Sequence, residues 1–180
     1  MESYVAFLRG MNLGGRRIKN EELRAEFEAL GFDGIGCFRA SGNVIFAAAE
    51  SDEAKLAAKV EAGLGEALGY EVPVFLRNAA ELLAVASQEP FDAKALSASK
   101  GKLQVIFLQG KPKAAARKQV LALATDDDRL AIEGRELYWL PKGGMSDSEL
   151  DLKAIAAALG QNTVRTMGTV EQIAAKYFAA

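Results

Sequence analysis

IGCFRASGNVIFA, residues 35–47, decides the fold. Residues 35–39 and 43–47 are apolar enough for two short strands, and Ser41 and Gly42 between them are turn formers, so the stretch predicts a β-hairpin. Upstream, the aromatic and apolar run 4–8 predicts a buried strand that ends in the glycines from Gly10 onward. Between strand and hairpin, Asn20 can cap a helix with Glu21 and Glu22 in its first turn. Leu23, Phe27 and Leu30 share one face of that helix, and Gly31 is placed to stop it. Downstream, Leu56, Val60, Leu64 and Leu68 recur every four positions across 52–68 and Gly69 ends the run. The strand 72–76 follows, and Pro73 near its start favours a sheet edge. Residues 1–78 thus read βαββαβ, the split-βαβ or ferredoxin-like pattern.

A second round follows. Asn78 and Glu81 have capping-box spacing for a short helix through Ala86, and the serines, lysines and proline after it read as a linker, so residues 79–101 separate the halves. Residues 103–108 predict a strand, and Pro112 suits the first position of a helix through Ala124. Strands 130–132 and 137–140 turn around Gly134, and Ser148 with Asp151 caps a helix bearing Leu152, Ile155 and Leu159 that Gly160 ends. This gives βαββα within residues 102–180. A last helix, starting at Thr169 and boxed by Gln172, presents Ile173, Tyr177 and Phe178 and is expected to dock across the halves. The expected fold class is α+β, two ferredoxin-like subdomains. The repeated element order points to duplication, although residue identity between the halves does not establish it.

Composition narrows the chemistry. Of 180 residues, 50% are hydrophobic and 26% charged, enough for a sizeable core in one domain or two small halves. Basic and acidic residues number 22 and 24, so whole-molecule attraction to nucleic acid or an anionic membrane is not expected. There is no histidine, which removes the usual neutral-pH base and the commonest zinc ligand. Cys37 stands alone and reads as strand packing. Asp126, Asp127 and Asp128 lack the spacing of a calcium loop and read as a solvated turn. No metal or cofactor is expected. Without a leader-like start or an apolar run near the roughly 20 residues of a membrane span, the expectation is a cytoplasmic protein with no membrane partner.

The segments YVAFLRGMNLGG, LGF, SGNVIF and TVRTMGTVEQIAAKY, in this order, resemble the bacterial family called domain of unknown function 1697. Its pattern has an LRG-x-N-x-GG loop after the first strand, an SGN turn before the third, and a late T-x-R-N-W-x-T segment. Here Thr163, Arg165 and Thr169 match the last of these, while Thr166 and Met167 stand where the family commonly has Asn and Trp. The resemblance implies a two-part α+β fold and no particular activity.

The candidate site starts at the loop RGMNLGGRR, residues 9–17. Between Val5 and Asn20 lie Arg9, Arg16, Arg17 and Lys19 with no acid. Glycines beside them let backbone N–H groups approach an anion. The alternative is that the glycines turn the chain and the arginines are solvated. Neither a P-loop nor a Rossmann fingerprint is present. In a βαββαβ sheet the first and third strands are central neighbours, so this loop and turn 41–43 are expected at one end. Arg9 and Arg16 would neutralise a small phosphate- or carboxylate-bearing ligand, Asn12, Ser41 and Asn43 would orient it, and Gly14 and Gly15 would admit backbone donors. Lys153 and Arg165 either face this cluster from the other half, placing the ligand between the halves, or make hydrogen bonds at the junction.

Two other classes compete. RASGNVIF, residues 39–46, partly matches the RNA-recognition octamer but has Ser41 and Asn43 where stacking rings belong. Residues 93–125 carry Lys and Arg but no acid, a possible electrostatic track for nucleic acid. The third class is a self-associating protein that pairs an open sheet face with a second copy. Oligomeric state, ligand and reaction are left open.

Overall fold

The computed structural model describes residues 1–11, 13–40 and 42–179. The chain divides into two compact units, Met1–Leu83 with Ile173–Ala180, and Ala84–Gln172. In the first, β1 (Glu2–Leu8), α1 (Asn20–Ala29), β2 (Asp33–Cys37), β3 (Asn43–Ala48), α2 (Glu53–Leu68) and β4 (Val74–Asn78) follow the expected order. The sheet order is β2-β3-β1-β4, antiparallel throughout. β1 is central, with Val5 opposite Ile45 on one side and Arg77 on the other. β4 takes the edge that Pro73 favours, and the proline lies just before the strand.

The core of this unit forms where the alternate sheet residues Tyr4, Ala6, Leu8, Val44, Phe46 and Leu76 meet the apolar faces of α1 and α2. Leu23 and Phe27 come from α1, and Leu56, Val60 and Leu64 from α2, in the periodicity that predicts them. Phe46 is 1% exposed, with its ring 4.5 Å from Phe32, 5.5 Å from Phe27 and 5.7 Å from Tyr4. Such ring pairs add about 0.5–1.5 kcal/mol each beyond their buried area. Val5, Phe7 and Phe75, which point the other way, are buried too.

After α3 (Ala79–Ala86) and α4 (Ala93–Ala98), the second unit repeats the plan with β5 (Gln104–Leu108), α5 (Ala114–Leu121), β6 (Asp128–Glu133), β7 (Glu136–Pro141), α6 (Leu152–Leu159) and β8 (Asn162–Thr166). Its sheet order is β6-β7-β5-β8. The registers coincide: Val105 lies opposite Tyr138 and Arg165, as Val5 lies opposite Ile45 and Arg77. Residues 5–10, VAFLRG, become VIFLQG at 105–110. In each unit the Leu that ends the central strand donates its N–H to the turn before the third strand, Leu8 to Gly42 O at 2.8 Å and Leu108 to Arg135 O at 2.9 Å. Arg24 of α1 donates to Ile35 O and Arg117 of α5 to Ile132 O, serving carbonyls of an outermost strand in both sheets.

The two units differ in two connections. Residues 9–19 join β1 to α1, whereas 109–113 suffice to join β5 to α5. Conversely, 49–52 join β3 to α2, whereas 142–151 join β7 to α6.

Several expectations need correction. β8 completes the second βαββαβ; its polar sequence NTVRT hides a strand whose Val164 packs on the core while Thr163 and Arg165 lie on the opposite sheet face. The presumed linker contains α4, nucleated by Asp92, whose Oδ1 accepts from the Ala95 N–H at 2.7 Å. Lys19, rather than Asn20, is the N-cap of α1; its N–H donates to Glu22 Oε2 at 2.8 Å. Pro112 precedes α5, which is capped at Lys113. Asp151 alone caps α6, because Ser148 is used elsewhere. The last helix begins earlier, as α7 (Met167–Ile173) with Thr166 Oγ1 accepting from the Thr169 N–H, and continues as a π-helical turn over Ala174–Phe178. Thr166, in the family's Asn position, thus serves as a cap, and Met167 fills a buried position. Asp128 is not in a solvated turn: it starts β6 and is 5% exposed.

Gly42 is where turn and core meet most closely. Its φ is +74°, and a Cβ there would lie 2.9 Å from Met11 Cγ and 3.1 Å from Leu8 Cβ. Left-handed backbone and overpacking together should make Gly42→Ala cost about 2–4 kcal/mol. Gly14→Ala, at φ +58° in open space, should cost about 1 kcal/mol. Urea unfolding of both variants checks the ranking. Burial pushes the Cys37 thiol up, against a weaker opposite pull from Arg24, and its Sγ–H donates to Asn20 O at 3.7 Å. Cys37 should therefore react with a disulfide reagent at neutral pH at least about tenfold more slowly in the folded chain than in denaturant.

Candidate functional site

The end of β1 gathers two segments far apart in sequence. The Leu8 N–H donates to Gly42 O, the Arg9 N–H donates to Pro73 O at 3.1 Å, and Met11 sits buried against Gly42. The basic loop and the turn after residue 39 are therefore neighbours, as the strand order predicts. Beyond Met11 the chain makes a tight reversal. Gly14 (φ +58°) and Gly15 (φ +82°) occupy the two central positions, and the Arg16 N–H donates to Leu13 O at 2.9 Å. Positive φ at both centres is the requirement of a type I′ turn, so both glycines have a conformational duty.

Arg16 then folds back. Its guanidinium carbon lies 4.0 Å from the centroid of the Tyr70 ring, and one of its terminal nitrogens is 3.8 Å from where a Cβ on Gly10 would stand. A cation over an aromatic face at such a partly exposed place is worth about 0.5–1 kcal/mol. That is enough to favour one rotamer while leaving N–H groups for a ligand. Ile18 packs on the core, and Asn20 Nδ2 donates to Arg39 O at 3.2 Å, tying the start of α1 to the turn. The loop is thus anchored at Met11, Arg16 and Ile18.

The expected site residues divide. Arg9, Arg16, Gly14 and Gly15 are exposed on this loop, as are Arg17 and Lys19. Asn43 is 1% exposed and its Nδ2 donates to Phe38 O at 3.0 Å, so its amide serves the turn. Asn12 and Ser41 lie outside the described residues. Lys153 and Arg165 belong to the second unit. Lys153 is exposed on α6. Arg165 is largely buried on β8, where one terminal nitrogen donates to Thr163 Oγ1 and Val164 O, each at 2.8 Å. Burial lowers its pKa to about 10.

Sequence reasoning missed Tyr70, whose signal was an aromatic residue directly after the helix-ending Gly69. It also missed Asp128, hidden in what reads as an acidic turn. The nucleic-acid reading loses its one ring in the octamer match, because Phe46 is packed in the core. Among the described residues no apolar sheet face is exposed for a second copy to cover, and no helix is long and apolar enough to cross a membrane.

Comparison with known proteins adds fold and family. A solved structure described as the conserved bacterial protein SP0830 from Streptococcus pneumoniae is similar over 97% of this chain and 97% of its own, with a TM-score of 0.74 and 21% identity. At that identity the likeness concerns the fold. No curated protein matches the chain. Residues 1–138, which include the basic loop, the hairpin and β1 to β6, match the family described as Protein of unknown function (DUF1697). This chain, with its two βαββαβ units, belongs to the DUF1697 family.

Proposed function

We propose that this protein binds a small anion, the phosphate or carboxylate group of a metabolite, at the loop 9–19 of its first unit. The observation that carries this reading is Arg16, braced over Tyr70 beside Gly10 in a stretch that holds four cations and no acid. A braced guanidinium loses less freedom on binding and offers a planar fork that matches phosphate and carboxylate oxygens. Arg9, one turn of chain away, adds a second charge, and the exposed I′ turn at Gly14 and Gly15 adds backbone donors.

Comparison of the two units strengthens the reading. The second unit makes the same strand-to-helix connection with residues 109–113, so the fold itself does not require the longer loop. Loop length that the scaffold does not need is a common place for recognition. The chemistry suits binding: the chain has no histidine, and the thiol of Cys37 is pushed up by burial. The site recognises charge.

Thermal unfolding against inorganic phosphate, sugar phosphates, nucleoside monophosphates and dicarboxylates tests this. A ligand at a hundredfold excess over its Kd stabilises the chain by about 2.7 kcal/mol, which raises Tm by about 5–10 °C for a protein of this size. Arg16→Ala is expected to abolish the shift, and Arg9→Ala to weaken binding about tenfold. A screen with no stabilising compound, or with compounds indifferent to both substitutions, ends the reading.

A further inference from the structure

Leu13 stands at the tip of the basic loop with 65% of its surface exposed, more than any other large apolar side chain among the described residues except Met1 at the chain end. Loop tips are ordinarily polar. The core does not call for this leucine either, because Met11 and Ile18 already hold the loop to it and Leu13 lies outside that cluster.

The turn geometry says where Leu13 points. Residues 13 and 16 are the outer positions of the I′ turn, joined by the bond from the Arg16 N–H to Leu13 O at 2.9 Å. Residues paired across a two-residue reversal send their side chains to the same face. Gly10 marks the spot where these two meet: a Cβ there would lie 3.8 Å from Arg16 Nη1 and 3.9 Å from Leu13 Cδ1. Gly10 holds φ +76° and has no side chain, so the floor between the guanidinium and the leucine methyl groups is bare backbone. The Tyr70 ring, 4.0 Å from the guanidinium carbon, fixes the pairing, since Arg16 cannot swing away from Leu13 without losing that contact. A ligand whose charge lies on the Arg16 fork therefore has its next few atoms against Leu13. An inorganic ion would leave Leu13 in water, whereas an anion carrying an apolar chain would cover it. We propose that the loop selects amphiphilic anions, soluble phosphate monoesters or carboxylates with a short apolar chain beside the charged group, with Arg16 taking the charge and Leu13 the chain. This rests on the anion site proposed above and names its ligand class.

Amide NMR of the full chain, read at Gly10, Gly14 and Gly15, tests this with methyl phosphate and n-butyl phosphate, which differ in chain length and hardly in charge. Butyl phosphate is expected to bind about fivefold more tightly, or about 1 kcal/mol. Leu13→Ser, a change at an exposed position, should erase that preference and leave methyl phosphate affinity unchanged, while Arg16→Ala should abolish the response to both esters. Equal affinity of the wild-type chain for the two esters, or a butyl preference that survives Leu13→Ser, would overturn the amphiphilic class and leave the anion site standing. Loss of methyl phosphate binding in Leu13→Ser would also sink it, because Leu13 would then act by holding the loop. No saturable response of the wild-type chain to either ester removes the anion site and the ligand class together. Vesicles of phosphatidic acid in phosphatidylcholine are expected to leave the chain in the supernatant on sedimentation. Pelleting that Leu13→Ser prevents would replace the soluble ligand with a lipid headgroup.

Discussion

Everything in each unit depends on one strand being hemmed in on both sides. β1 is paired with β3 and β4, and β5 with β7 and β8, so the backbone of each central strand is spent inside its sheet. Buried backbone groups tolerate no other arrangement. The antiparallel pairing then dictates which loops meet. Where β1 ends, Leu8 must find a carbonyl from the turn before β3, and Arg9 finds one just ahead of β4. A basic loop that leaves this strand is brought beside both neighbours by the same hydrogen bonds that make the sheet.

The repeat of this plan turns one half into a control for the other. Equivalent registers, the shared V-x-F-L-x-G ending of the central strands, and the arginines Arg24 and Arg117 serving outermost-strand carbonyls describe what the fold needs. What it does not need stands out by subtraction: the long loop 9–19 in one unit and the long loop 142–151 in the other. Added loop length is thermodynamically mild, because closure entropy grows only slowly with length. Both extra segments are nevertheless anchored, the first by Met11 and Arg16, the second through Ser148 to Asp128. Fixing a segment that the scaffold does not require makes sense where a surface has to keep a shape.

Much of the fold was legible in the chain, and the exceptions share a cause. Helices α1 and α2 announce themselves because Leu23, Phe27, Leu56, Val60 and Leu64 face one way at helical spacing. β8 was missed because it brings only Val164 to the core, and Thr163 and Arg165 on its other face look like a polar loop until the hydrogen bonds that allow their burial are seen. α4 was missed because the cap at Asp92 competes with a serine- and lysine-rich composition. The candidate site was legible as a patch of cations and glycines, and the meeting of loop and turn followed from strand order. Its brace, Tyr70, was not, since residues 16 and 70 have no local pattern in common.

The amino-acid sequence by itself determined most of the order of helices and strands, the βαββαβ plan of the first unit, the family, and the chemistry that an absence of histidine removes. These follow from periodicity, turn residues and composition, which are properties of neighbouring residues. Only the tertiary structure decided which polar side chains hold the fold and which are left exposed. Asn43 and Arg165 are taken up by backbone and side-chain acceptors, Asp128 by Trp139 and Ser148, and Arg16 is braced but open. Burial and hydrogen-bond partners come from segments distant in the chain, so no local pattern of residues carries that distinction.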